Sequence, residues 1–397
     1  MTTLISAAQA ARRLGVQPAT LYAYVSRGRV SRVRGLDGRS SLFDADEVDA
    51  LAALHRRADS SGATVVPLKI ETAITEIGEG TLRFRGHDVV DLAESCTFEQ
   101  VAELLWTGDL RPVAGPWVLP EAVHNAAARA AISVGGSVFN RLGAAMLGAG
   151  RLLDGGDNLM TAQMLVAVGP SALGAPPAGS IAKRVVQTWS TVADRRMIAM
   201  VQKVLVLLAD HELATCALAA RVAASTRAEL SACLAAALAT LSGPLHGSAA
   251  QAVHDLLIES ERRSVDDVIA AYRTRREPVP GFGHKVYKSG DPRVEPLMSA
   301  IREFGGDPSR MACVERVLDI SAMRLPVAPN VDFALGALSY VADLPPTAPA
   351  VMFSIARLAG MIAHVLEEYA APPLRYRTTA RYVGSAQRAP RPPVEEL

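Results

Sequence analysis

Three short segments carry side chains able to move protons, and each lies on backbone interrupted by glycine or proline. The first is Leu241-Ser-Gly-Pro-Leu-His246-Gly-Ser, a histidine between small residues just after a Gly-Pro break. The second runs from Pro278 to Arg293 and holds Gly281, Gly283, His284, Lys285 and Lys288. Its two glycines allow backbone amides to approach a ligand closely. The third, Ala328-Pro-Asn-Val-Asp332-Phe, places a carboxylate between Val331 and Phe333. Apolar walls raise carboxylate basicity, so two imidazoles and a desolvated carboxylate point to general acid–base chemistry. Singly, each has an ordinary structural explanation: a histidine after such a break also serves as a loop residue or cap.

Those segments need a scaffold, and the intervening sequence reads as helix. Thr97–Trp106 opens on a threonine cap and places apolar residues at helical spacing. Met197–Ala209, Ala214–Ala224 and Ala228–Leu241 continue the pattern, with alanine supplying high propensity. Thr81–Phe84 and Val89–Leu92 are expected to form a short hairpin or loop after Gly80. Alternation over several consecutive segments is missing, so the fold class expected is all-α. The 397 residues hold 41 Lys+Arg against 40 Asp+Glu, a net charge of +1, and half are apolar. That length exceeds what one core usually supports. Cys96, Cys216, Cys233 and Cys313 lie far apart, which argues against a disulfide framework or a cysteine metal site. The uncharged stretches 158–182 and 230–253 are cut by glycine and proline, so neither makes an unbroken membrane helix of about 20 residues. A soluble, cytoplasmic protein without a membrane or metal partner is expected.

The even charge hides a basic front. Between Arg12 and Arg39 seven arginines face Asp37 alone, a local +6. Ser6–Leu14 reads as a helix stopped at Gly15, and a second helix opens at Pro18 and runs near Arg27. With the basic turn that follows and a third helix from about Asp46, residues 1–58 resemble the winged helix-turn-helix of MerR- and excisionase-type DNA-binding domains. A second helix projecting Gln17, Thr20, Tyr24 and Arg27 fits a major groove, while nearby arginines neutralise phosphates. Residues 59–67 read as a linker and 385–397 as a disordered tail.

Taken together, the ordered motifs from Ile70 to Gly384 resemble the citrate synthase family. They are IETAITEIGEGTLRFRGHDVVDLAESCTFEQVAELLWTGDLRP, LADHELATCALAARVAAST, GPLHG, PGFGHKVYK with the following DPR, PNVDF, and the terminal YVG. The resemblance implies a large helical domain over 68–246 and 346–384, and a small one over 247–345 that closes on substrate. It also implies condensation of acetyl-CoA with oxaloacetate, followed by hydrolysis of the citryl thioester. CoA is then a co-substrate, and no tightly bound cofactor is expected. By position Asp332 is the base, His246 the donor to the thioester oxygen and His284 the donor to the oxo-acid carbonyl. His211, Arg293, Arg357 and Arg377 match substrate-binding residues, with Arg377 reaching the other subunit of a homodimer. Pro280, Gly281, Gly283, Lys285 and Lys288 are the expected CoA contacts. His55, His87, His124, His254 and His364 have ordinary surface or core explanations. Departures from the family pattern stand at Leu208, Ala214, Ser248, Ala250 and Thr379. The alternatives are a 2-methylcitrate synthase using propionyl-CoA, or a DNA-bound regulator that senses an acyl-CoA or oxo-acid. The intact acid–base residues argue against the regulator.

Overall fold

The computed structural model describes residues 4–14, 16, 21–22, 25, 30, 32–34, 41–45, 47–49, 70–153, 156–243, 246–247, 249–288 and 290–376. The expectations for Gln17, Thr20, Tyr24, Arg27, the 59–67 linker, Arg377 and the 385–397 tail lie outside those residues. The chain divides into two compact units, Met1–Glu71 and Thr72–Leu397.

In the first unit, strand β1 (Leu4–Ser6) leads into helix α1 (Ala7–Leu14), and β2 (Arg32–Arg34) and β3 (Ser41–Asp44) complete an antiparallel sheet of order β1-β3-β2. Ser6 caps α1: its Oγ accepts from the Gln9 amide at 3.3 Å, and its own amide donates to Gln9 Oε1 at 2.9 Å. Ala10, Ala11 and Leu14 of α1 bury against Ile5, Leu21, Val30 and Phe43.

The second unit opens with a three-stranded meander, β4 (Thr75–Gly78), β5 (Thr81–Phe84) and β6 (His87–Asp88). Here the sequence expectation is corrected. The hairpin pairs 75–78 with 81–84, while Val89–Ser95 is helix α2. Asp88 decides this, since its side chain accepts from the Val90 amide at 2.9 Å and so starts a helix where Val-Val favours a strand. The helical expectation is met by a mostly helical fold, which also carries two small sheets among the described residues.

Helices then follow in close succession: α3 (Phe98–Thr107), α4 (Glu121–Val134), α5 (Val138–Gly150), α6 (Asn158–Ala172), α7 (Ile181–Val186), α8 (Arg195–Leu207), α9 (Thr215–Ser225) and α10 (Leu230–Leu241). A further group comprises α11 (Ala249–Arg262), α12 (Val265–Arg275), α13 (Val294–Phe304), α14 (Pro308–Arg324) and α15 (Val331–Val341), before the chain returns through α16 (Ala348–Ala370). Thr97 caps α3 as expected, but its capping-box partner is Gln100, while Glu99 turns inward to accept from the Ile181 amide at 2.7 Å.

Helix α16 is the one described helix long and apolar enough to cross a bilayer, yet 83% of that apolar window is buried inside the protein. It is a core element. Trp106 Nε1 donates to its Ala359 carbonyl at 2.9 Å, and the Gly360 amide donates to Ala209 O at 2.9 Å. The first contact ties the helix to α3, and the second presses it against the turn that carries His211.

Helices α11 and α15 approach each other just as tightly. A Cβ at Gly336 would lie 2.6 Å from Val253 Cβ and 2.9 Å from the Ala250 carbonyl. Because α11 follows His246 and α15 carries Asp332 in its first turn, their spacing sets the distance between two candidate groups. Overpacking there should be felt throughout the unit. Gly336→Ala is expected to lower stability by about 1–3 kcal/mol in urea unfolding, and an unchanged midpoint would show that α11 and α15 can part without cost.

Candidate active site

His246 sits in the irregular segment after α10, its amide bonded to Gly243 O at 2.9 Å. Its Nε2 is buried and has no hydrogen-bond partner among the described residues. Burial, and then the nearby positive charge of Arg357, hold the ring below the usual histidine pKa and so neutral. A neutral imidazole with an unengaged buried nitrogen is prepared to meet a polar ligand atom.

The 278–290 loop is laced to the segment that precedes α15. Gly283 N donates to Ala328 O at 2.8 Å, Asn330 N to Gly281 O at 2.8 Å, and Asn330 Nδ2 to Gly283 O at 2.7 Å. Gly281 adopts φ 80°, and a Cβ there would stand 2.7 Å from Val253 Cγ2 and 2.9 Å from Phe333 Cβ. Within this loop His284 Nδ1 accepts from the amides of Val286 (3.1 Å) and Tyr287 (3.3 Å). A nitrogen that accepts twice carries no proton, so in the neutral ring the proton resides on Nε2. Burial and then Arg293 keep that ring neutral.

Asp332 lies in the first turn of α15, its amide capped by Asn330 Oδ1 at 3.0 Å. Desolvation pushes its carboxyl up to about 6, against the pull of Arg293 and Arg357. Arg293 is buried and forks onto Asp291 through Nε (2.9 Å) and Nη2 (2.8 Å), and Asp291 also accepts from the Val331 amide at 3.0 Å. One carboxylate thus ties the guanidinium to the start of α15. Burial alone would raise the Asp291 carboxyl, but Arg293 and the amide bonds hold it below its ordinary value.

Arg357, on α16, is 3% exposed, and its Nε and Nη1 have no hydrogen-bond partner among the described residues. Its guanidinium lies 5.0 Å from the Phe353 ring centroid. Burial lowers its pKa. The Asp210 carboxylate offsets part of its charge, while the two unengaged N–H groups remain available to a ligand carboxylate. Close by, His211 Nε2 lies 3.1 Å from the Tyr287 hydroxyl. Burial, followed by Arg293, Arg357 and His284, depresses the His211 pKa strongly. The His211 and His284 rings stand 5.3 Å apart edge to face.

His211, His284, Arg293 and Arg357 therefore share one neighbourhood, and the charge of Arg357 also reaches His246 and Asp332. Two guanidiniums, three neutral imidazoles and a basic carboxylate suit a small oxo-dicarboxylate and a carbonyl whose oxygen gains charge. Of the residues expected at CoA, Lys285 is exposed, whereas the Lys288 ammonium turns back onto Lys285 O at 2.8 Å. The Gly283 amide is engaged by Ala328, and Gly281 packs on Phe333. No group of three or more His, Cys, Asp or Glu able to hold a metal occurs among the described residues.

Sequence reasoning passed over Tyr287, Asp291 and Asn330. Each carried a signal: a tyrosine within GHKVYK, an acid two residues before Arg293, and an asparagine at a cap before an apolar helix. His364, read as an ordinary core residue, is fully buried and accepts at Nδ1 from Arg221 Nε at 3.0 Å.

The family model "Citrate synthase, C-terminal domain" matches residues 66–115 and 158–377. The citrate synthase of Mycolicibacterium smegmatis is 30% identical over 80% of this chain and 93% of its own length. A 2-methylcitrate synthase of Mycobacterium tuberculosis (strain ATCC 25618 / H37Rv) is 29% identical, over 80% and 88%. The solved ternary complex of the Thermoplasma acidophilum citrate synthase with carboxymethyl-CoA and oxaloacetate superposes with a TM-score of 0.71 at 23% identity, over 85% of this chain and 99% of that one.

The carboxyl pKa of Asp332 stands above its unfolded value, so the folded state disfavours the ionised form. The penalty is full above about pH 6 and disappears below the usual carboxylate range. Asp332→Asn should therefore raise Tm, by more at pH 8 than at pH 5. Equal gains at both pH values would show that the carboxyl is not desolvated.

Proposed function

The chain belongs to the citrate synthase family, and we propose that it condenses acetyl-CoA with oxaloacetate to give citrate and CoA. The observation that carries this reading is Arg357: a buried guanidinium whose Nε and Nη1 engage none of the described residues, beside neutral histidines and a desolvated carboxylate. Arg357 receives one oxaloacetate carboxylate, and Arg293, already oriented by Asp291, adds positive charge to the same pocket. Arg377 of the partner subunit completes the set in a homodimer, and His211 lines the pocket.

Asp332 removes a methyl proton from the acetyl thioester, a task suited to a carboxylate raised to about 6. His246, neutral, donates from its unengaged nitrogen to the thioester oxygen as the enolate forms. The enolate carbon attacks the oxaloacetate carbonyl carbon, while His284 Nε2–H polarises that carbonyl and protonates the new alkoxide. Water then cleaves the citryl thioester, releasing citrate and CoA. The small domain, residues 247–345, closes over the cleft and expels water. Lys285, which is exposed, is the side chain offered to the CoA phosphates.

The front unit is a winged helix-turn-helix that reads DNA. Its support is a capped first helix, a β2–β3 pair in the place of the wing, and the arginine cluster at 12–39. Binding of a duplex in fluorescence anisotropy should weaken steeply with salt; no binding even at low salt would remove this role. Deleting residues 1–58 should leave turnover largely intact, and a folded but inactive truncation would show that the units are not separable.

The direct test is steady-state release of free CoA from acetyl-CoA or propionyl-CoA with oxaloacetate. Acetyl-CoA should be the better thioester, and Asp332→Asn should cut kcat by about 100-fold or more while oxaloacetate still binds. Preference for propionyl-CoA would make the enzyme a 2-methylcitrate synthase. Absence of turnover with both would leave a sensor.

A further inference from the structure

His364 is fully buried on α16 and has no role in the scheme above. It shares one face of that helix with Gly360 and Arg357, at helical spacing. The Asp210 carboxylate, also fully buried, lies over Gly360, so close that a Cβ there would collide with it. Its two oxygens are held differently. Oδ2 accepts from Thr75 Oγ1 at 2.5 Å and from the Glu212 amide at 3.0 Å, which closes the turn around His211. Oδ1 stands 3.5 Å from His364 Nε2, and neither atom has another partner among the described residues.

Arg221 decides where the ring carries its proton. Its Nε donates to His364 Nδ1 at 3.0 Å, and its Nη2 lies 2.8 Å from the same atom. A nitrogen that accepts carries no proton, so the ring N–H is on Nε2, toward Asp210. Arg221 is itself fixed by Glu367 and Glu368, so the imidazole has little freedom to turn. Asp210 has an alternative. Arg357 keeps Nε and Nη1 open, and the charges of Asp210 and Arg357 already act on each other. A carboxylate released from His364 would turn to those donors and take the place of a substrate carboxylate. We propose that His364 is a positioning residue, whose Nε2–H holds Asp210 Oδ1 over Gly360 and so keeps the Arg357 donors free for the oxo-acid. This rests on the oxo-dicarboxylate reading of the pocket.

The test is calorimetric titration of oxaloacetate into the intact protein, paired with steady-state kinetics. His364→Asn keeps a short amide that accepts from Arg221 but does not reach Asp210. Its oxaloacetate affinity should fall roughly 10- to 100-fold, the scale of a hydrogen bond to a charged group, with KM for oxaloacetate rising in step and kcat changing far less. His364→Gln is long enough to accept from Arg221 and donate to Asp210, and should stay within about threefold of the unaltered protein. Adding Asp210→Asn to His364→Asn removes the competing charge and should tighten binding again, where a role in packing alone would weaken it further. Unchanged affinity in His364→Asn, an equal loss in His364→Gln, or a double variant no tighter than His364→Asn would overturn the inference. If His364→Asn unfolds early by circular dichroism, ring-nitrogen NMR of isotopically labelled histidine in the unaltered protein decides, with His364→Gln giving the assignment. A proton on Nε2 alone supports the proposal, and one on Nδ1 contradicts it. No oxaloacetate heat with the unaltered protein would instead fell the pocket reading, and this inference with it.

Discussion

A buried guanidinium with unengaged N–H groups is the constraint around which the candidate site is arranged. Arg357 projects from the core-facing part of α16, and two of its nitrogen donors have no acceptor among the described residues. Folding alone does not satisfy it. The surrounding groups respond to its charge: His211 and His246 stay neutral, and Asp332 remains ionisable despite its burial. A dicarboxylate would meet those donors and bring its own carbonyl against His284. The open donors of Arg357 thus supplement the preformed Arg293–Asp291 pair.

Holding such a charge in place takes a stiff frame. Helix α16 is pressed onto the 209–211 turn at Gly360, where any Cβ would collide with the Asp210 carboxylate. Asp210 accepts from Thr75 Oγ1 at 2.5 Å and from the Glu212 amide at 3.0 Å, and lies 3.5 Å from His364 Nε2. Arg221 extends the chain of charges to Glu368 at 3.2 Å, which in turn receives Arg375 and Tyr376. This network links the first strand of the unit, the His211 turn and the last described residues to a single helix. On the other side, Gly281 and Gly336 both make room for Val253, so the catalytic loop and α15 share one packing contact.

Much of this was legible in the residues. The helices of the body follow from alanine-rich apolar spacing, and their ends shift by only one or two residues, as with Ala228–Leu241 against Leu230–Leu241. The ordered motifs placed His246, His284, Asp332, His211, Arg293 and Arg357 before any geometry. The Val89–Leu92 segment misled because one capping aspartate outweighs local strand propensity. Tyr287 and Asp291 were hidden for a different reason. Their importance lies in which atoms they touch, and a sequence read for catalytic types does not show that a tyrosine hydroxyl reaches a histidine 76 positions away. The remaining expectations, from Arg377 to the recognition helix, fall on residues beyond those described.

The central claim is that a carboxylate made basic by burial performs the proton abstraction. The dependence of kcat/KM for the acyl thioester on pH tests it most directly. The account predicts an acidic limb with its midpoint near 6, set by Asp332. A rate that stays level down through the ordinary carboxylate range, to about pH 4, would contradict it.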